Sequence, residues 1–306
     1  MRTLITGSGG FVGRHLIEHL RTEGDDVVGV DVSSGVDVTD PDAVRRAVGD
    51  ARPDVIYHLA ALSHIGESFA DPAEVLRVNA GGTLTVLRAA VDLGVERVLV
   101  VASADAYGVH DGPIDEDVPL RPVTPYGASK AAADLLALQT WLGDGLATIR
   151  VRAFNHTGPG QPDRFVVPAL ARRIAKAESD GSTELRVGNL DAERDFLDVR
   201  DVVAAYRLLA VHGDSGAAYN VCSGVARTVR SIAERLVAMS NGDPELVIDP
   251  DLVRPVEVPR MVGNPGRLAA TTSFAPRFSF DDTLRAVLDE ARAAAGGTPP
   301  EGVVRP

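Results

Sequence analysis

Leu4-Ile5-Thr6-Gly7-Ser8-Gly9-Gly10-Phe11-Val12-Gly13 is the stretch on which the reading of this chain turns. A short apolar run stops at glycines, and a helical segment follows from Val12 to about Glu23, closed by Gly24. Glycines at 7, 10 and 13 permit a tight turn, close approach of a pyrophosphate to the backbone, and close helix–strand packing. The helix opened there directs N–H donors and the positive end of its dipole at the same spot. Gly7, Gly10, Phe11, Val12 and Gly13 are therefore candidate dinucleotide contacts, against the plainer alternative of a structural glycine turn.

Outward from that loop, apolar runs recur at 27–30, 55–59, 98–101 and 147–151, separated by helical stretches at 84–93 and 129–142. Continuous apolar strands alternating with helices predict a parallel sheet covered on both faces, an α/β doubly wound fold. Residues 1–154 read as a dinucleotide-binding domain, its sheet expected to be completed by parts of 190–215 and 258–270. Beyond Asn155, prolines and glycines become frequent and helices are expected at 166–178, 199–211 and 228–240. Residues 155–290 read mainly as a smaller C-terminal substrate-binding lobe, and 293–306 as a frayed tail.

The composition bounds the function. The 306 residues carry 31 basic and 43 acidic side chains, a formal charge of −12, which disfavours nucleic acid or an anionic membrane as partner. The 45% hydrophobic and 24% charged content is that of a globular protein. A single cysteine, Cys222, excludes an intrachain disulfide framework and fits a reducing cytoplasm. No histidine pair has metal-ligand spacing, so no metal site is expected. No signal peptide or membrane-length apolar run is read, and a cytoplasmic location is expected.

Asp31 stands 18 residues beyond Gly13, at the end of the second strand. A carboxylate there accepts hydrogen bonds from adenosine ribose hydroxyls and repels a 2′-phosphate, favouring NAD, with NADP as the alternative. Asp37-Val38 is a candidate cap on the adenine. Tyr126-Gly127-Ala128-Ser129-Lys130 sets Tyr126 and Lys130 four apart on one helical face, and lysine otherwise occurs only at Lys176. An ammonium beside a phenol is expected to lower its pKa and make it usable in proton transfer. Ser103, ending the preceding strand, is a candidate hydrogen-bond donor to a substrate carbonyl.

Together these residues resemble the short-chain dehydrogenase/reductase superfamily in its extended, sugar-nucleotide branch, over residues 1 to about 290. His58-Leu59-Ala60-Ala61, Asn79 and Ser103-Ala104-Asp105-Ala106-Tyr107-Gly108 look like landmarks of that branch. Arg152 to Gln161, Arg194 to Asp201 and Tyr219 to Gly224 are similar to the GDP-4-keto-6-deoxymannose reductases. The resemblance implies a Rossmann sheet and a catalytic set of Ser103, Tyr126 and Lys130. Asp105 joins the set as an acid compatible with either reduction or sugar 4,6-dehydration. It implies cofactor contacts from Leu59, Ala60, Ala61 and Asn79. It also implies substrate contacts from His64, Asn155, Val166, Arg194, Arg254 and Glu257, with Asn155 and the arginines on the diphosphate and Glu257 near the nucleoside ribose.

The expected activity is NAD(P)H-dependent reduction of the C4 ketone of a nucleotide-linked 4-keto-6-deoxyhexose. A 4,6-dehydratase or 4-epimerase with bound NAD is the enzymatic alternative, and a non-catalytic nucleotide-sensing module the alternative of another class. The nucleotide-diphosphate sugar is the expected partner. Helices around 84–91 and 131–138, apolar on more than one face, predict a homodimer.

Overall fold

The computed structural model describes residues 1–242, 244–252 and 258–296. The first half alternates strand and helix: β1 (Arg2–Thr6), α1 (Phe11–Thr22), β2 (Asp26–Val30), α2 (Pro41–Ala51), β3 (Val55–His58), two short helices α3 (Ile65–Ala70) and α4 (Pro72–Leu76), α5 (Gly82–Asp92), β4 (Arg97–Ser103), α6 (Pro125–Asp144) and β5 (Ala147–Ala153). Local chemistry sets the boundaries. Asp40 caps α2 through the Asp42 and Ala43 amides with Pro41 in the first turn, and Thr124 caps α6 ahead of Pro125.

The chain continues through β6 (Asn155–Thr157), α7 (Val166–Asp180), β7 (Glu184–Val187), β8 (Glu193–Asp198), α8 (Val199–His212) and β9 (Ala218–Val221). It closes with β10 (Ala226–Thr228), α9 (Val229–Ala238), β11 (Glu245–Ile248), β12 (Arg260–Met261), α10 (Gly266–Thr272) and α11 (Phe280–Ala294). Six strands pair in parallel in the order β2-β1-β3-β4-β5-β9. Alternate strand residues face opposite layers. Leu4, Ile56, Val98 and Val100 pack with Val44, Val86 and Leu87 of α2 and α5. Ile5, Tyr57, Leu99 and Ile149 pack with Leu16, Leu20, Val202 and Leu209 of α1 and α8. The doubly wound sheet is as the apolar runs require.

The sheet is completed differently from the expectation. Its sixth strand is β9, at 218–221, and not a part of 190–215 or 258–270. A parallel neighbour of β5 needs a covering crossover, and α8 supplies it by lying on the sheet and returning the chain beside β5. The strands β8 and β12 instead pair with each other in a second sheet, with β10 and β6. The second lobe has its own core, where Leu170 and Ile174 of α7 meet Ile232 and Leu236 of α9 and Leu284 and Leu288 of α11. Helix α11 runs through Ala294, so residues 293 and 294 are helical and not frayed; 297–306 lie outside the described residues.

One buried charge cluster ties these elements together. Asp134 of α6 is fully buried and accepts from Arg150 Nη1 at 2.7 Å and Arg152 Nε at 2.9 Å. Arg152 also donates to the Tyr107 hydroxyl and the Glu116 carbonyl, each at 2.9 Å, and Tyr107 donates to Asn220 Oδ1 at 2.7 Å. Removing the carboxylate would leave two inward guanidinium groups uncompensated. Asp134→Ala is expected to cost on the order of 3–5 kcal/mol of stability, read by urea unfolding. A loss below 1 kcal/mol would show that water reaches the cluster.

Candidate active site

A cavity of about 710 Å³ opens along the carboxyl ends of the sheet strands and extends into the second lobe. At its first end lies the glycine loop. Gly7 has φ +74°, and a Cβ on it would sit 2.7 Å from the Ala60 amide nitrogen; a Cβ on Gly13 would collide with the Gly7 carbonyl oxygen. Helix α1 starts with Gly10 as its cap, bears no capping side chain and has no acid in its first turn. The bare backbone cradle and unopposed dipole fit a pyrophosphate. Beside the loop, the Asp31 carboxylate accepts from Gly9 N at 2.5 Å, Ser33 Oγ at 2.5 Å and Ser33 N at 2.8 Å. The Ser33 hydroxyl bond, with the backbone donors, holds this carboxyl below the usual range and hence ionised.

At the centre, Ser103 ends β4 and its Oγ donates to Asp105 Oδ2 at 3.1 Å. Tyr126 enters from the first turn of α6, is buried and lies beside Ser103. Lys130, one turn on, sends Nζ to the Val101 carbonyl at 2.7 Å. The phenol departs from the expectation: its pKa is raised, by burial first and then by the Asp105 charge, with Ser103 opposing. Burial lowers Lys130 from 10.5 to about 8.

The far end is cationic. Arg164, Arg173 and Arg194 line the wall with Asn155, His64 and Val166. The Arg164 guanidinium lies 5.4 Å from the Phe165 ring centroid, and Arg173 donates to the Arg186 carbonyl at 2.8 Å.

Of the residues singled out from sequence, the cavity gathers Gly7, Gly10, Phe11, Val12, Gly13, Asp31, Leu59, Ala60, Ala61, His64, Ser103, Asp105, Tyr126, Lys130, Asn155, Val166 and Arg194. Three others do not line it. Asp37 accepts from its own turn, at Thr39 N and Oγ1, each 2.8 Å. Val38 is buried in the core against α5, where it occupies the space a Gly82 side chain would need. Asn79 is buried, donates to Ser129 Oγ at 2.9 Å and accepts from Leu62 N at 2.8 Å, which makes it a brace for α6. Arg254 and Glu257 lie outside the described residues. The sequence reading missed Arg164, Arg173 and Tyr206, which no local motif marks, and Arg14, which follows Gly13 directly. Among the described residues, no cluster of metal-ligating side chains occurs and no helix is long and apolar enough to cross a membrane.

The glycine loop, the strand-end serine and the Tyr–Lys helix fall within a recognised segment: residues 3–222 match the NAD-dependent epimerase/dehydratase family, and the chain belongs to it. The resemblance to the extended short-chain dehydrogenases is thereby borne out. The chain is 38% identical over 294 residues to the GDP-6-deoxy-D-mannose reductase of Pseudomonas aeruginosa, covering 94% of this chain and 96% of the relative. The structure of RMD from Pseudomonas aeruginosa complexed with NADPH superposes with a TM-score of 0.88 at 36% identity, covering 96% of this chain and all of that one. The UDP-glucose 4-epimerase of Thermus thermophilus, in complex with NAD, gives 0.87 at 30% identity over 96% of this chain and all of that one.

The buried ammonium makes a testable demand on stability. Between about pH 8 and 10.5 the unfolded chain keeps a proton that folded Lys130 has released. Stability from this group therefore rises with pH across that window. In thermal melts the wild type should gain on Lys130→Met as the pH is raised from 8 to 10.5. A difference constant across that range would show that the ammonium carries no burial penalty.

Proposed function

We propose that the chain reduces the C4 ketone of GDP-4-keto-6-deoxymannose to give GDP-rhamnose, with NADH as reductant. The observation that carries this reading is the meeting of Ser103, Tyr126 and Lys130 in one cavity between a phosphate cradle and an arginine-lined end, in a chain alike from end to end to a reductase of that sugar class. Gly10, Phe11, Val12 and Gly13 would hold the dinucleotide pyrophosphate, and Asp31 the adenosine ribose. The ionised Asp31 disfavours a 2′-phosphate, which supports NADH over NADPH. Asn155 and Arg194 would take the sugar-nucleotide diphosphate, whose oxygens suit guanidinium forks.

A bound nicotinamide supplies the hydride that the C4 carbon receives. Tyr126 protonates the oxygen as it becomes an alkoxide, and a phenol held protonated in the resting site is suited to that role. Ser103 polarises the carbonyl once its hydroxyl turns from Asp105 Oδ2 to the substrate oxygen. Lys130 binds the nicotinamide ribose and supports the phenol as its proton leaves.

NADH should be consumed in proportion to GDP-4-keto-6-deoxymannose. Tyr126→Phe should lower kcat by about 10²–10⁴-fold while NADH still binds. Conversion of GDP-mannose alone to the 4-keto sugar, without net change in NADH, would make Asp105 the C5 base of a 4,6-dehydratase instead.

A homodimer accompanies this reading. Ala128, Leu135 and Leu142 recur every seven residues on α6 and are exposed, with the two leucines 55% and 73% accessible and Leu84 of α5 also exposed. Two copies pairing α5 and α6 about a two-fold axis would cover this stripe as a four-helix interface. Light scattering at micromolar concentration should give twice the 32.2 kDa chain mass, and Leu135→Arg should halve it. A monomeric wild type would remove the interface.

A further inference from the structure

Arg173 is half-buried, lines the cavity and makes no ion pair with any described residue. Its place is fixed from two sides. On α7 it follows Val166, Ala169 and Leu170 at helical spacing, so the four share one face, and all of them line the cavity. Val187, which ends β7, and Gly188 after it line the cavity as well. Arg173 Nη1 donates to the carbonyl of Arg186, the residue before Val187, at 2.8 Å. The guanidinium thus bridges helix to strand and closes a slot with apolar sides.

That slot lies away from the reacting centre. Phe165, the cap of α7, has its ring 6.5 Å from that of His64 at the start of α3. From there α7 runs into the second lobe against α9 and α11. Arg173 stands about 10 Å along the helix axis from Val166. With the sugar of a nucleotide sugar at Ser103 and Tyr126, the diphosphate comes next and the base lies farthest out. Apolar sides suit a flat ring better than a phosphate. The bond to Arg186 leaves the Nε–Nη2 edge of Arg173 as two parallel donors. Guanine presents two acceptors side by side, O6 and N7, on one ring edge. Adenine sets an amino group beside N7, and uracil and thymine offer a single carbonyl there.

We propose that Arg173 reads the base of the substrate, taking O6 and N7 of guanine with its guanidinium fork and selecting guanine over adenine and pyrimidine nucleotides. This rests on the reading that the cavity binds a nucleotide-diphosphate sugar. Arg173 meets the nucleoside and is remote from the transferred hydride, so it sets KM and not the rate of the chemistry.

The test titrates GDP, inosine diphosphate, ADP and UDP into the full-length wild type, Arg173→Met and Arg173→Lys by calorimetry. The wild type should bind GDP and inosine diphosphate, which share O6 and N7, about tenfold tighter than ADP and UDP. Arg173→Met should weaken the first two about tenfold and leave ADP and UDP unchanged. In turnover it should raise KM for GDP-4-keto-6-deoxymannose and keep kcat. Arg173→Lys retains the charge and loses the fork, and should behave like Arg173→Met. An equal loss for all four nucleotides, or recovery in Arg173→Lys, would make the residue a diphosphate contact and overturn the proposal. An unchanged preference in Arg173→Met overturns it too. If the wild type binds none of the four, the nucleotide-sugar reading falls and this inference with it.

Discussion

A carboxylate with no access to solvent, Asp134, holds α6 in place. Its partners Arg150 and Arg152 sit on β5, whose last residue Ala153 pairs in register with Ser103 at the end of β4. Asp134 lies one turn beyond Lys130 on α6. The same ion cluster reaches Tyr107, two residues past Asp105, and through Tyr107 the Asn220 side chain on the outermost strand. Buried charges tolerate little displacement, since each partner lost leaves an uncompensated ion in a medium that solvates it poorly. The cluster thus ties together the segments that present Ser103, Asp105, Tyr126 and Lys130.

From that fixed centre the cavity is polarised along its length. An ionised Asp31 stands at one end beside the glycine cradle, and arginines gather at the other. A chain of net charge −12 therefore keeps local cations where an anionic ligand would be received, and the acidic remainder discourages adventitious polyanions. The asymmetry also gives an extended, two-ended ligand one orientation. The Asp31 carboxylate suits ribose hydroxyls and repels a phosphate attached to them, whereas a diphosphate away from the amide cradle is drawn to the arginines near Arg194.

The parts legible in the sequence were those whose chemistry is local. Gly7, Gly10 and Gly13 belong to one turn, and Tyr126 and Lys130 to one helical face, so spacing alone placed them. The sixth strand was misjudged because its membership depends on where α8 returns the chain, which no strand-like run reveals. Asp37 and Val38 are expected from sequence to meet the adenine; the structure shows Asp37 Oδ1 holding its own turn and the Val38 side chain packed under α5. Arg173 and Tyr206 reach the cavity from α7 and α8, and nothing in their flanking residues distinguishes them from packing or surface positions. The rise of the Tyr126 pKa was also hidden, because spacing gives the distance to Lys130 and not the burial of both groups.

That rise bears on the direction of the chemistry. Oxidation of an alcohol asks the tyrosine to begin as phenolate, whereas reduction of a ketone asks it to begin protonated. Burial and the neighbouring Asp105 both penalise the phenolate of Tyr126. The resting phenol is therefore held in its protonated form. Once the proton has left, the phenolate is the unfavourable member of the pair, so it recovers a proton readily between turnovers. An enzyme that begins by oxidising its sugar would have to overcome this bias on every cycle; one that begins with a ketone uses it.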